Sequence, residues 1–180
     1  MKEKMALLMN GKIVMRSATS LTLFFVLFGL ISVIGQSGAR AETDDIVVLK
    51  VGGSEGEQSF SLAELDALPQ HHFTTTTLWT SGMVEFSGPA LIDVLTASGA
   101  ASGALLLRAS NDYSIILEPS MVEESVPIVA TRMDGQTFDL RNRGPLWLVF
   151  PYDSDPRFRT ESTFAASIWQ LTGIFPYVAP

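Results

Sequence analysis

Thr74, Thr75, Thr76 and Thr77 stand in a row, and Leu78, Trp79, Thr80, Ser81 and Gly82 follow. Four successive hydroxyls cannot all face an apolar core, because each one buried without a partner costs on the order of 1–3 kcal/mol. Some of them are expected to line a cleft. A tryptophan at its rim offers a flat apolar face with one N–H donor, which suits a planar polar ligand; the plainer alternative for Trp79 is a core or partner contact. Alternate strand residues share a face, so Thr75 and Thr77, with Thr80, are candidates to offer hydroxyls to a ligand's edge. His71 and His72 invite a metal reading, but neighbours on a strand point to opposite faces and the chain has no third histidine, so no metal site is expected. No Ser/His/Asp constellation has sensible spacing, and no pair of acids is singled out as general acid and base.

The elements that must position these residues begin after a leader. Lys2, Lys4, Lys12 and Arg16 precede the apolar run Leu21 to Ile34, and Ala39-Arg40-Ala41 has the small-x-small form of a signal-peptidase site. Cleavage after Ala41 is expected, with residues 1–41 as a Sec-type signal peptide, residues 42–180 as a single periplasmic domain, and no membrane insertion after cleavage. An uncleaved anchor is the less favoured alternative, since the run is shorter than the roughly 20 residues a bilayer span needs. The leader takes five of the twelve basic residues and one of the nineteen acids with it, which leaves a net charge of −11. Such a surface repels nucleic acid and anionic lipid. The chain has no cysteine, which excludes a lipoprotein anchor, disulfides, thiolate metal sites and cysteine nucleophiles.

Within the domain, Ile46 to Val51 reads as a strand before the turn Gly52 to Gly56, and Ser61-Leu-Ala-Glu64 as a capping box opening a short helix. His72 to Thr77 and Met83 to Phe86 read as strands, and Pro89 as the first position of a helix through Ala97 closed by Gly99. Ala104 to Ser110 and Ser114 to Leu117 should pair across the Asn111-Asp112-Tyr113 turn. Ile128 to Arg132 is a strand, Asp134-Gly135 a tight turn, and the five apolar residues Leu146 to Phe150 a strand covered on both faces at the centre of the core. Pro151 to Arg159 is loop, and Ile168 to Tyr177 is a last strand interrupted at Gly173. Many short strands with a few short helices make an α+β domain.

The order Thr-Thr-Thr-x-Trp-Thr, Phe-Ser-Gly-Pro-Ala-Leu, Asn-Asp-Tyr, Met-Asp-Gly and Arg-Gly-Pro-Leu-x-Leu-Val-x-Pro, from about Phe60 to Ile174, resembles the molybdopterin-binding domain of the sulfite oxidase family. The resemblance implies a mixed-sheet, barrel-like α+β fold. It also implies a pterin cleft lined by the threonine-rich stretch, the Asn111-Asp112-Tyr113 turn and the segment after the Gly-Pro strand. Catalytic members hold molybdenum through a cysteine in the loop that corresponds to Thr74–Thr80, and this loop has none; a threonine hydroxyl does not replace a thiolate there. In this the chain resembles the catalytic members less than it resembles small exported proteins of this fold that bind a reduced, metal-free pterin. Those proteins act on the periplasmic domain of an inner-membrane enzyme that makes or degrades cyclic di-GMP.

Under that resemblance Trp79 is the stacking face. Asp112 and Glu118 are candidate carboxylates for the aminopyrimidinone edge, where one carboxylate can take two donors at once. Stabilising its own turn is the plainer role of Asp112, and Tyr113 either closes the pocket or caps the sheet. Residues 42–180 carry one lysine and six arginines, and arginine suits a flat fork meeting a carbonyl, carboxylate or phosphate. Arg157 and Arg159 correspond to the basic segment near the cofactor phosphate; salt bridging on an acidic surface is their plainer role. Two other functions compete: a molybdopterin-dependent oxidoreductase with molybdenum held by the dithiolene alone, against which the missing cysteine argues, and an interaction module without ligand.

Overall fold

The computed structural model describes residues 46–100, 103–139, 141 and 143–178; the expected signal peptide lies outside them. β1 (Val47–Gly53) and β2 (Gly56–Ser61) form the expected hairpin. Ser61 then caps α1 (Leu62–Asp66): its Oγ accepts from the Glu64 N–H at 3.3 Å, while the Glu64 carboxylate accepts from the Ser61 N–H at 2.7 Å. β3 (Gln70–Thr75) pairs with β4 (Val84–Pro89), and α2 (Leu91–Ser98) ends at Gly99, whose φ of 65° is the left-handed stop that glycine takes freely. β5 (Leu105–Ala109) and β6 (Ser114–Leu117) pair as expected. After them come β7 (Ile128–Ala130), β8 (Arg132–Met133), β9 (Gln136–Thr137), β10 (Trp147–Val149), α3 (Glu161–Ala166) and β11 (Leu171–Pro176).

Among the described residues three sheets form, of order β2-β1-β11-β5-β6, β3-β4-β8-β9 and β10-β7. β11 lies parallel to β1 and antiparallel to β5. Leu146 to Phe150 is buried throughout and sits mid-core, as its unbroken apolar run predicts. Asp134 and Gly135 both take positive φ and make the β8–β9 hairpin turn.

Four expected boundaries move, each for a tertiary reason. β3 ends at Thr75 because the Thr76 N–H leaves the sheet for the Asp153 carboxylate, at 2.5 Å. Pro89 stays in β4 instead of opening a helix: a Cβ at Gly88 would run into the Val129 carbonyl, so this segment packs tightly on β7. Ala90 has no side-chain cap to offer, but the Leu91 N–H donates to the Pro127 carbonyl at 2.8 Å and α2 starts there. The expected strand Ile128–Arg132 divides at the buried Thr131, whose N–H donates to the Ser87 carbonyl at 2.9 Å. Arg132 meets Asp66 as a two-toothed fork, at 2.6 and 2.7 Å, and that hydrogen-bonded guanidinium holds the Asp66 carboxyl below its usual range. The last strand begins at Leu171, not Ile168, since Gln170 adopts a φ of 52° and breaks the extended run.

Candidate functional site

The threonine-rich stretch leaves β3 and becomes a loop held by its own hydroxyls. Thr77 Oγ1 accepts from the Trp79 N–H at 3.0 Å and the Thr80 N–H at 2.9 Å, and shares a 2.8 Å bond with Thr80 Oγ1. This local hydroxyl-to-backbone closure fixes the turn that presents Trp79. Thr76 tethers the loop from below, donating to Asp153 through its N–H and, at 3.0 Å, its hydroxyl. Arg159 also binds the Asp153 carboxylate, and its Nε donates to the Tyr152 carbonyl at 2.9 Å.

The Thr76 N–H, then the Thr76 hydroxyl and Arg159, hold the Asp153 carboxyl at about 2 instead of 3.8. A depressed carboxyl stabilises the folded form above its unfolded pKa, and loses that contribution as pH falls through the folded one. The tether is therefore expected to be whole above 3.8 and to weaken as pH falls towards about 2. Tryptophan fluorescence followed through an acid titration reads this step. The Asp153→Asn variant should lack it; an identical titration in that variant would show that another group is responsible.

Trp79 is half-buried in a nest of rings, edge-on to Trp169 at 5.6 Å, Trp147 at 5.7 Å, Phe164 at 6.1 Å and Tyr152 at 6.4 Å between centroids. Trp147 is the buried hub and also meets Phe86 at 5.3 Å and Trp169 at 6.2 Å. Its indole N–H donates to the Ser167 carbonyl at 3.1 Å. Tyr152 donates to Ser167 Oγ at 2.5 Å, and that hydroxyl donates on to the Thr163 carbonyl at 2.7 Å. Burial pushes the Tyr152 phenol up to about 12, so it stays a donor at any physiological pH.

Against this nest opens a cavity of about 310 Å³, lined by Trp79, Ala109, Asn111, Tyr113, Phe164, Ala165, Ser167, Ile168 and Trp169. Its size lies at the lower end of the roughly 300–1,000 Å³ of small-molecule sites. Asn111 Oδ1 accepts from the Tyr113 N–H at 3.2 Å, and Tyr113, 47% exposed, reaches over to donate to the Ala165 carbonyl at 3.4 Å. Among the described residues neither the Trp79 nor the Trp169 indole N–H has an acceptor, and neither is a buried, unpaired group. Among the described residues no charged side chain lines the cavity.

Of the residues singled out from sequence, Trp79, Asn111 and Tyr113 come together here, and Thr77 and Thr80 shape the loop that carries Trp79. Thr75 does not share a face with Thr77. It is 0% exposed, and its hydroxyl accepts from the Asp153 N–H at 3.1 Å and donates to the Thr76 carbonyl at 3.3 Å. Asp112 takes the left-handed position of its turn, with φ 66°, and points outside the lining, as does the exposed Glu118. Arg157 pairs with Glu123 at 2.7 Å and stacks over Phe158 at 4.5 Å, beside a separate cavity of about 140 Å³. Arg159 is engaged at Asp153. Phe164, Ser167 and Trp169 join the lining without a local mark in the sequence, save that Trp169 is among only three tryptophans in the chain.

No protein-family model and no curated protein matches the chain. Among solved structures it is similar to the sulfane dehydrogenase SoxCD from Paracoccus pantotrophus, with a TM-score of 0.56 and 17% identity over 72% of this chain and 37% of that one. The chain has the sulfite oxidase-type fold. At this identity the likeness shows fold alone, and the chain spans little more than a third of its neighbour's length. The donor set does not fit a molybdenum held by protein: the chain has no thiolate to offer, and no group of three metal-ligating side chains forms among the described residues.

Proposed function

We propose that the chain binds a reduced pterin in the Trp79 cavity without a protein-ligated metal, and that it works as a regulator, not as an enzyme. The observation that carries this reading is the cavity itself: about 310 Å³, bordered by the rings of Trp79, Trp169 and Phe164, with Asn111 and Ser167 also in its lining. Aromatic walls take a flat bicyclic ring, and uncharged donors take its carbonyl and ring-nitrogen edge. The ring edge meets these groups instead of the carboxylates of Asp112 and Glu118 or the guanidiniums of Arg157 and Arg159. Signalling is part of the same proposal. In the periplasm the loaded chain would alter its contact with the outer domain of an inner-membrane enzyme that makes or degrades cyclic di-GMP. Leu78 and Met83, 69% and 61% exposed on the loop that carries Trp79, are suited to register whether the cavity is filled.

The experiment is anaerobic purification from the native host, followed by mass spectrometry and metal analysis of the bound material. A pterin without molybdenum is the expected result. The likeness to a dehydrogenase favours one other reading, a molybdopterin-dependent oxidoreductase; stoichiometric molybdenum would establish it and end the regulatory one.

A further inference from the structure

We infer that Arg143 is a positioning residue that fixes the two edge-on tryptophans bordering the cavity. The inference takes its ligand from the pterin reading but rests on separate geometry. The cavity's lining comes from three stretches distant in sequence: Trp79, Asn111 and Trp169. Arg143 bonds directly to the first, meets the residue after the third, and is linked to the second through Gln170 and Ser110. Its Nη2 donates to the Trp79 carbonyl at 2.7 Å, and its guanidinium lies over the Trp147 ring at 5.6 Å, the ring against which both walls pack. Its own carbonyl accepts from the Gln170 N–H at 3.0 Å, directly after Trp169. Gln170 in turn accepts from the Ser110 N–H at 3.0 Å and from the Ser110 hydroxyl at 2.7 Å, directly before Asn111.

Side chain and backbone of one residue thus brace both tryptophan-bearing segments. Both Arg143 and Gln170 take left-handed φ, 69° and 52°. That conformation is uncommon for such residues and is kept only where surrounding contacts hold it. A planar fork can stack on Trp147 and reach the Trp79 carbonyl together, whereas a single ammonium cannot do both.

All three tryptophans of the chain lie in this cluster, so intrinsic fluorescence reads it alone. Arg143→Met keeps the stem and removes the donors; Arg143→Lys keeps the charge. In the unliganded protein, acrylamide quenching of the tryptophans is expected to rise in Arg143→Met, and anaerobic affinity for tetrahydrobiopterin to fall roughly tenfold, the scale of one charge-assisted hydrogen bond. Arg143→Lys should fall between, with a melting temperature close to wild type. Wild-type affinity and quenching in Arg143→Met would overturn the inference. Should Arg143→Met not fold, wild-type values in Arg143→Lys would overturn it equally. Failure of the wild-type protein to bind tetrahydrobiopterin would count against the pterin reading only, because the quenching comparison still decides whether Arg143 braces the walls.

Discussion

Replacing Trp79 with alanine is expected to abolish pterin retention while leaving a folded protein. The ring contributes a stacking face and apolar burial together worth about 2–3 kcal/mol, which corresponds to roughly thirtyfold or more in affinity. Because Trp79 sits half-buried on a loop whose turn is closed by Thr77 and Thr80, the truncation leaves every sheet ladder in place. Trp79→Phe keeps a face and should keep most of the affinity. Titration of both variants with a reduced pterin under anaerobic conditions checks this. Wild-type affinity in Trp79→Ala would remove the stacking assignment and leave the cavity without its main wall.

Trp147→Ala is expected to act on the opposite quantity. Trp147 is 0% exposed and meets Trp79, Phe86, Phe138 and Trp169. Truncating a large buried aromatic costs about 3–5 kcal/mol, and the Ser167 carbonyl loses its indole donor as well. Against a total stability of about 5–15 kcal/mol for a domain, the melting temperature should drop by roughly 10–20 °C. Circular dichroism melts of the purified variant measure it directly. A drop of less than about 5 °C would mean that the cluster collapses around the void, and that Trp147 is not the hub its contacts describe. Paired with Trp79→Ala, this separates the ring that meets ligand from the ring that supports it.

How far these residues could be read in advance depended on whether their signal was local. The Ser61 capping box, the Asp134-Gly135 turn and the run Leu146 to Phe150 each carry their reason within a few residues, and each appears where that reason puts it. Trp79 likewise carries a local mark, a large ring beside four hydroxyls, and it borders the cavity, although the same pattern also suits a core contact. Phe164 and Trp169 are ordinary core residues by local pattern. They become cavity walls only because α3 and the residues after it fold back onto Trp147, a contact with no counterpart in nearby spacing. Charged residues misled for a related reason. A single sequence shows how many arginines and acids there are but not which of them meet. Arg157 finds Glu123 across 34 positions, and Arg159 finds Asp153, so neither is left for a ligand. The threonines divided likewise, since Asp153 reaches Thr76 across 77 positions, ends the strand there and draws the Thr75 hydroxyl inward.

The place of β11 between β1 and β5 has a consequence for how the molecule is made. Until residues 171–176 arrive, the largest sheet exists only as two unconnected hairpins, β2-β1 and β6-β5, each with a naked inner edge. Nothing synthesised earlier can fill the gap between them, and the pairing of Lys50 with Gly173 spans most of the domain. Such long-range closure is slow, and unpaired edges invite wrong partners. The largest sheet thus cannot close until β11 has been made, and until then its two halves stand as separate hairpins, each with an edge open to a wrong strand.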